Sequence, residues 1–341
     1  MLLKKIVRRL ALNKFFYTQN FENFIVHLSP AIASMNVGDQ IIYEAIVNEL
    51  RNLFPEAYIG TFPTKTPLNA TAVNCINTAT LRFVGGTNIL HGAFRHRAWT
   101  IPALSAWKCK PSILLGVGWG TYLEKTTAPV KMYYNFLLDR KYIHSVRDSY
   151  TMKKLQQIGF SNVLNTACPT TWSLTPQFCK TIPAERSSSA VITLTDYSKN
   201  PERDLILLKS CLEHYDSLFF FPQSIHDISY FNSLISSINS NCPITVLPPS
   251  LESYDKLLAE KRPEYIGTRL HGGIRALQHR CRALILSIDN RANEMGKDIN
   301  LPIISTSELD YSLPRVLTDG WDIDIKIPQK DIENWKNQFL C

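Results

Sequence analysis

The chain has 341 residues, of which 45% are hydrophobic and 19% are charged, and this composition excludes a disordered or fibrous protein. Its 37 basic and 29 acidic residues give a formal net charge of +8, which favours anionic partners such as phosphorylated metabolites, sugar nucleotides or lipid pyrophosphates. The basic residues are dispersed and match no zinc-finger, RNP or basic-zipper pattern, so we expect no nucleic-acid partner. A chain of this length predicts two domains.

The start of the chain, residues 1–16, has a short basic amphipathic pattern. Two interpretations are open: contact with the inner face of an anionic plasma membrane, or an ordinary helix that covers part of a lobe, which we favour. No run of about 18 uninterrupted apolar residues occurs, and the basic start lacks a signal-peptide core. We therefore expect a cytoplasmic protein.

Apolar strand-like runs alternate with helical segments from residue 24 onward, which is typical of a parallel sheet with crossover helices. The strand candidates of this first series are residues 24–28, 57–60, 81–84, 112–117 and 143–146. A helix is expected at about residues 40–53. We place an N-terminal Rossmann-like lobe at residues 1–170, followed by a linker rich in proline and hydroxyl residues at 171–189.

A second series of the same kind fills residues 190–341, with strand candidates at residues 190–194, 217–221, 244–247, 265–267, 283–288 and 302–304. The tail, residues 331–339, is expected to form a helix that packs back across the linker. The predicted fold class is therefore α/β, with two Rossmann-like lobes that face each other across a cleft.

Cysteine and histidine usage gives no sign of a metal site. The eight cysteines form no Cys-x-x-Cys pair, and several lie inside apolar stretches, as free core thiols of a reducing compartment do. His91 and His96 lack further ligands at suitable spacing, so we expect no bound metal.

Ligands of parallel α/β sheets bind beyond the carboxyl ends of the strands, so the residues that follow each predicted strand are the functional candidates. In the first lobe, Asn36-Val-Gly38-Asp39 precedes a helix. Asp39 could simply cap that helix. Alternatively, Gly38 lets the backbone approach a substrate while Asn36 contacts its hydroxyls or phosphate.

Two glycine-rich strand ends follow in the first lobe. One contains Gly85, Gly86 and Asn88, and the other is the Gly-x-Gly-x-Gly stretch at residues 116–120. Neither matches a Walker loop or a complete dinucleotide fingerprint, so a nicotinamide cofactor is not expected.

Arginines follow one predicted strand in each lobe. Arg147 follows a strand in Ser145-Val-Arg147-Asp148, where Asp148 or Ser149 can cap the next helix. Arg269 and His271 stand at a strand-to-helix turn, where both side chains can reach one anion at a helix N-terminus. In isolation, an Arg-x-His pair more often serves as a salt bridge to the other lobe and a helix cap.

The order of these elements resembles one known family. Asn36-Val-Gly-Asp, Gly85-Gly86, Ser145-Val-Arg-Asp and Arg269-Leu-His-Gly, each at a predicted strand end, are similar to the polysaccharide pyruvyl transferase family. Members of that family are similar to GT-B glycosyltransferases, with two Rossmann-like lobes.

The resemblance implies transfer of a pyruvyl group from phosphoenolpyruvate to two hydroxyls of one sugar, in a cell-surface glycan or its lipid-linked precursor. Phosphoenolpyruvate is then a co-substrate, and no further cofactor is expected. Arg147 and Arg269 would hold the donor, because arginine binds carboxylate or phosphate with two parallel hydrogen bonds. His271 is the leading acid/base candidate, and Arg269 is expected to be catalytic with it; the alternative is that His271 binds the donor only, through a hydrogen bond to the leaving phosphate.

The acceptor is expected on the first lobe, at Asn36, Gly38, Asp39, Gly85, Gly86 and Asn88. Further polar groups that could line the cleft follow two strands of the second lobe: Gln223, His226 and Asp227 after one, and Asp289, Asn290 and Arg291 after the other. Two other functions are kept as alternatives. A GT-B glycosyltransferase would consume a nucleotide sugar. A non-catalytic glycan-binding subunit would consume neither phosphoenolpyruvate nor a nucleotide sugar.

Overall fold

The computed structural model of the protein describes residues 23–94, 99–101, 103–122, 125–238, 242–307 and 309–340. The amphipathic pattern at residues 1–16 and His96 lie outside these ranges. Within them, every helix is too short or too polar to cross a bilayer.

The first lobe is built on a parallel sheet. Its strands are β1 (Phe24–Ser29), β2 (Tyr58–Pro63), β3 (Leu81–Gly85), β4 (Asn88–Leu90), β5 (Ile113–Leu115), β6 (Gly118–Trp119), β7 (His144–Val146) and β8 (Val163–Asn165). Its helices are α1 (Val37–Leu53), α2 (Ala70–Thr78), α3 (Ala128–Leu137) and α4 (Ser149–Gln157). The strand order is β2-β1-β3-β5, while β4 pairs with β6 and β7 pairs with β8. A parallel bridge between Val117 and Val146 places β7 beside the segment that follows β5.

The second lobe follows a linker that contains a 3-10 turn (Pro169–Thr171) and the short helix α5 (Pro176–Cys179). Its strands are β9 (Ser189–Thr193), β10 (Ser217–Phe220), β11 (Ile244–Val246), β12 (Glu264–Gly267), β13 (Ala283–Ser287) and β14 (Ile303–Ser305). Its helices are α6 (Pro201–His214), α7 (Ile225–Ile235), α8 (Leu251–Lys261), α9 (Leu270–Gln278), α10 (Asn290–Ile299) and α11 (Leu309–Asp319). The parallel order β11-β10-β9-β12-β13-β14 is that of a Rossmann sheet. The predicted α/β class with two Rossmann-like lobes is confirmed.

The last helix, α12 (Gln329–Asn337), packs against the first lobe although it follows the second in sequence. Trp335 is fully buried there, with its ring centroid 6.2 Å from that of Phe83 and 5.9 Å from that of Trp172. Phe339 packs edge-on against the same tryptophan at 5.1 Å. The chain therefore passes between the lobes twice, at the linker and again before α12.

The carboxyl ends of the two sheets face each other. At the start of α1, the Val37 N–H donates to the carbonyl of Gln223, just beyond β10, at 2.9 Å. At the start of α4, the Ser149 N–H donates to the Asp298 carboxylate of α10 at 2.5 Å. Helix N-termini of the first lobe thus meet polar groups of the second, and strand-end residues of both lobes converge there.

The helix caps agree with the sequence at one position and correct it at another. Asp148 caps α4 by accepting from the Thr151 N–H at 2.7 Å, as predicted. The expectation that Asp39 caps α1 is wrong, because Asn36 does so through the Gly38 N–H at 3.1 Å. Asp39 lies inside the first turn, where its carboxylate instead accepts from Lys65 Nζ at 2.5 Å.

A buried histidine sits in the core of the first lobe. His27 on β1 is fully buried, stacks on Tyr43 with ring centroids 5.7 Å apart, and has no hydrogen-bond partner for either ring nitrogen within the described chain. A Cβ at Gly85 would lie 2.4 Å from its Nε2, so that glycine makes room for the ring. Burial lowers the pKa of His27 to about 3.

We predict that His27→Leu reduces the sensitivity of the fold to acid. In the unfolded chain, His27 has a pKa near 6.5 and binds a proton below that pH. In the folded protein, His27 binds a proton only as the pH approaches about 3. Folding therefore loses stability as pH falls through that window. The free energy of unfolding, measured in urea at pH 7.5 and at pH 4.5, should fall by about 3 kcal/mol less in His27→Leu than in wild type.

The control is His226→Leu, at a side chain that is exposed in the folded protein. It should leave the pH dependence of the unfolding free energy unchanged. An equal acid sensitivity of wild type and His27→Leu would contradict the assignment of a neutral buried imidazole.

Candidate functional site

Arg147 lies fully buried where the two lobes meet, immediately after β7. Its Nη2 donates to the side-chain oxygen of Asn88, and its Nε lies 3.4 Å from the Asp148 carboxylate. Its Nη1 is buried and has no hydrogen-bond partner in the described part of the chain. Burying an unsatisfied charged donor is costly, so this nitrogen is suited to an anionic ligand.

Gly118 is required for this placement. A Cβ at that position would lie 1.9 Å from Nη2 of Arg147. No side chain fits so close to a buried guanidinium. The glycine of the predicted Gly-x-Gly-x-Gly stretch therefore leaves the space that the Arg147 side chain occupies.

The second lobe completes the surroundings of Arg147. Asn290 donates through Nδ2 to the Trp119 carbonyl at 2.8 Å, and its Oδ1 lies 3.5 Å from the side-chain nitrogen of Asn88. The amide of Asn88 thus touches both Arg147 of its own lobe and Asn290 of the other. The structure brings these three predicted residues together.

Asp289 and Arg291 form a second charged pair beside this contact. The Asp289 carboxylate caps α10 and accepts from Arg291 Nε at 2.9 Å. Burial alone would raise the pKa of Asp289, but the positive charges of Arg291 and Arg147 outweigh burial and hold it below its ordinary value. Asp289 is therefore ionised at neutral pH.

His271 lies in the first turn of α9 and is buried. Burial lowers the pKa of its imidazole to about 3, and the nearby charges of Arg291 and Arg147 act in the same direction. The ring is therefore neutral at physiological pH. Its Nε2 lies 3.8 Å from the thiol sulfur of Cys168, a residue that precedes the linker. Arg147 and His271, predicted from separate strand ends, are thus close enough for the charge of Arg147 to act on the imidazole.

Arg269 is placed differently from Arg147. Its Nη2 contacts Asp227 at 2.5 and 2.7 Å and Asp196 at 3.0 Å, while its Nε donates to the Leu194 carbonyl at 3.1 Å. Its guanidinium also lies 5.0 Å from the centroid of the Tyr197 ring. Arg269 forms these ion pairs within its own lobe, and its role in holding the donor stays a prediction.

The start of α1 meets the second lobe at Gln223. The Gln223 side chain is buried, and its Nε2 has no partner among the described residues. A Cβ at Gly38 would lie 3.2 Å from its Oε1, and one at Gly272 would lie 2.4 Å from its Nε2. The amide therefore fills the space between the N-termini of α1 and α9, beside Asn36.

The remaining candidates have structural partners or lie at the surface. The Asp39 carboxylate is engaged by Lys65 and by the Ser34 hydroxyl. Gly86 has a positive φ of 64°, and a Cβ there would lie 2.1 Å from a methyl carbon of Ile42. Its contact with an acceptor, like those of Gly85, Asn36 and Gly38, stays a prediction. His226 is exposed in the first turn of α7.

One residue that contacts the site, Cys168, was not predicted as part of it. Arg291 stands just beyond β13, where the strand-end rule placed it among the polar groups that could line the cleft. Cys168 looks like any core cysteine in the sequence, and only the meeting of the lobes brings it to His271. Across the described ranges, no three His, Cys, Asp or Glu side chains converge as a metal-binding group.

Comparisons with known proteins give matches among solved structures and a match to a family model. A search of curated proteins finds no relative. Among solved structures, the chain is similar to the wall teichoic acid polymerase TagF, with 12% sequence identity, a TM-score of 0.42, and coverage of 99% of this chain and 90% of that chain. A similarity at this level identifies neither a fold nor an activity.

The amino-acid sequence also matches the model of one protein family. The sequence model for "Polysaccharide pyruvyl transferase" matches residues 36–290, which is most of the chain and spans Asn36, Arg147 and His271. The resemblance inferred from the motifs is confirmed. The chain belongs to the polysaccharide pyruvyl transferase family, and is thus a transferase of polysaccharide synthesis.

Proposed function

We propose that the protein transfers a pyruvyl group from phosphoenolpyruvate to two hydroxyls of one sugar in a cell-surface polysaccharide or its lipid-linked precursor. The product is a cyclic ketal, and inorganic phosphate is released. Such a reaction takes place where phosphoenolpyruvate is available, in the cytoplasm, with contact to the inner membrane if the acceptor is lipid-linked.

The observation that carries this proposal is the unpaired Nη1 of Arg147. The Nε of the buried guanidinium lies 3.4 Å from the Asp148 carboxylate, and its Nη1 has no hydrogen-bond partner among the described residues. Phosphoenolpyruvate carries a phosphate and a carboxylate, and either group would satisfy that nitrogen with a charge-assisted hydrogen bond. A neutral sugar would offer only a weaker one.

The reaction balances without a further co-reactant. Two C–O bonds form at C2 of the donor, and the bond between C2 and the phosphate oxygen breaks. One hydroxyl proton ends on the methylene carbon, which becomes a methyl group, and the other leaves with phosphate. The protein must therefore move protons while it stabilises the departing anion.

His271 is suited to take part in these proton transfers. Its pKa is low because of burial and because Arg291 and Arg147 are close. A bound donor anion would cancel part of that positive field and raise the pKa of the imidazole toward neutrality. The ring would thus gain proton affinity when the donor is in place.

For the acceptor we propose the first-lobe side of the cleft, at the start of α1. Asn36 lies there, and Gln223 brings an amide nitrogen without a partner in the described chain to the same place. Amide groups are suited to sugar hydroxyls, because they both donate and accept hydrogen bonds.

We predict phosphoenolpyruvate-dependent phosphate release in the presence of the correct acceptor. The protein should be incubated with phosphoenolpyruvate and a panel of oligosaccharide and lipid-linked acceptors, with phosphate assay and mass spectrometry of the products. A mass gain matching a pyruvyl ketal supports the proposal. Release of a nucleotide from sugar nucleotides instead, or turnover of neither donor, would reject it in favour of a glycosyltransferase or a binding subunit.

Arg147→Met should weaken phosphoenolpyruvate binding, because it removes the buried charge while filling most of the volume. The expected loss is about 2 kcal/mol, or roughly thirtyfold in Kd by titration calorimetry. Arg147→Lys should bind with intermediate affinity, since it keeps the charge without the planar fork.

The matched control for this binding experiment is Arg140→Met, at a first-lobe arginine that packs on the Phe160 ring. Its affinity for phosphoenolpyruvate should equal that of wild type. A folded Arg147→Met protein with an unchanged Kd would remove Arg147 from the donor site.

His271→Gln should lower kcat by roughly a hundredfold or more while the protein stays folded, because glutamine keeps a hydrogen-bonding group but cannot exchange protons. His279→Gln, at the other end of the same helix, is the control and should retain wild-type turnover. Wild-type kcat in His271→Gln would disprove a proton-transfer role for this ring.

A further inference from the structure

The contact between His271 and Cys168 joins the two lobes at the site. Cys168 belongs to the segment between β8 and the linker, and His271 lies in the second lobe. Both side chains are buried, and the Cys168 sulfur lies 3.8 Å from Nε2 of His271. On its other side the same sulfur accepts from the Thr170 hydroxyl at 3.1 Å.

The backbone around Cys168 is held firmly. Its carbonyl accepts from the Thr171 N–H and from the Thr171 hydroxyl, both at 2.8 Å. The next residue, Pro169, packs closely on Gly116: a Cβ at position 116 would lie 2.1 Å from the proline ring. The sulfur is therefore presented to His271 by a fixed turn.

Both groups of this contact are neutral. Burial raises the pKa of the Cys168 thiol, although Thr170 and Arg147 oppose this shift, so the thiol keeps its proton. The low pKa of His271 leaves the imidazole neutral, with one nitrogen as donor and the other as acceptor. The pair is thus a thiol beside an imidazole, and Cys168 is not poised as a nucleophile.

One arrangement of hydrogens gives the Thr170 hydroxyl, the thiol and Nε2 of His271 a partner each. The Thr170 hydroxyl donates to sulfur, and the S–H then donates to Nε2 of His271. In this arrangement Nε2 accepts, so the imidazole proton lies on Nδ1. In the opposite tautomer, Nε2–H would point at sulfur, and the thiol hydrogen would lose its acceptor.

We infer that Cys168 is a positioning residue, whose thiol orients the His271 ring and holds it as the Nδ1–H tautomer. Nδ1 has no hydrogen-bond partner within the described chain, so it is the nitrogen left to meet the substrate. This inference rests on the proposed function in taking His271 as a group that meets the donor. The Nδ1–H of the ring then donates a hydrogen bond to an oxygen of phosphoenolpyruvate. The orientation of the ring depends on the contact between Cys168 and His271, which joins the lobes.

The test reads the tautomer directly. Nitrogen-15 NMR of protein labelled in its eight histidines distinguishes a protonated from an unprotonated ring nitrogen. The His271 signals are assigned as those that disappear in His271→Gln. Wild type without substrate at pH 7.5 should show Nδ1 protonated and Nε2 unprotonated, because the imidazole is neutral at that pH.

Three cysteine variants separate positioning from packing. Cys168→Ser keeps a donor and should preserve the Nδ1–H tautomer. Cys168→Ala removes the donor and should give averaged signals from both tautomers, with kcat lower by roughly fivefold, as expected for one modest hydrogen bond. Cys281→Ala, at another buried thiol of the same core, should change neither signal nor kcat.

The outcomes also separate this inference from the proposed function. A wild-type His271 protonated on Nε2, or a tautomer unchanged in Cys168→Ala, would overturn the positioning role even if the protein turns over phosphoenolpyruvate. Conversely, the protein could show the predicted tautomer and yet not turn over phosphoenolpyruvate. That result would support the positioning role of Cys168 and reject phosphoenolpyruvate as the donor.

Discussion

The buried guanidinium of Arg147 is the group around which the rest of the site is arranged. It has no exposed surface, yet one of its nitrogens has no hydrogen-bond partner in the described chain. A glycine at position 118 is needed because any side chain there would collide with it. Its charge also contributes to the low pKa of His271 and to the ionised state of Asp289. A cation of the first lobe thus acts, together with Arg291, on the protonation of His271 and Asp289 in the second.

Contacts between the lobes hold this buried cation in place. Helix α12 packs Trp335 into the first lobe, so the chain ties the lobes together at two passages. Polar contacts such as Ser149 to Asp298 and Asn290 to the Trp119 carbonyl then join the facing sheet edges. The stability of these contacts can offset the cost of an incompletely paired arginine, as functional sites commonly require.

Local sequence patterns predict the lobes and the strand ends, because side-chain periodicity and the strand-end rule depend on short segments. Arg147 and His271 could be placed at such ends, but their proximity depends on how the lobes meet. The same limit applies to Arg269, whose partners Asp227 and Asp196 come from the first turn of α7 and from the segment between β9 and α6. Asp39 illustrates a local error, since Asn36 three residues earlier is an equally good cap and is the one used.

The most direct measurement for the central claim is a crystal structure of the protein with phosphoenolpyruvate bound. An oxygen of the donor's phosphate or carboxylate should lie about 2.8 Å from Nη1 of Arg147, with His271 in contact with the same ligand. A donor bound elsewhere, with Nη1 of Arg147 still lacking an anionic partner, would contradict the account.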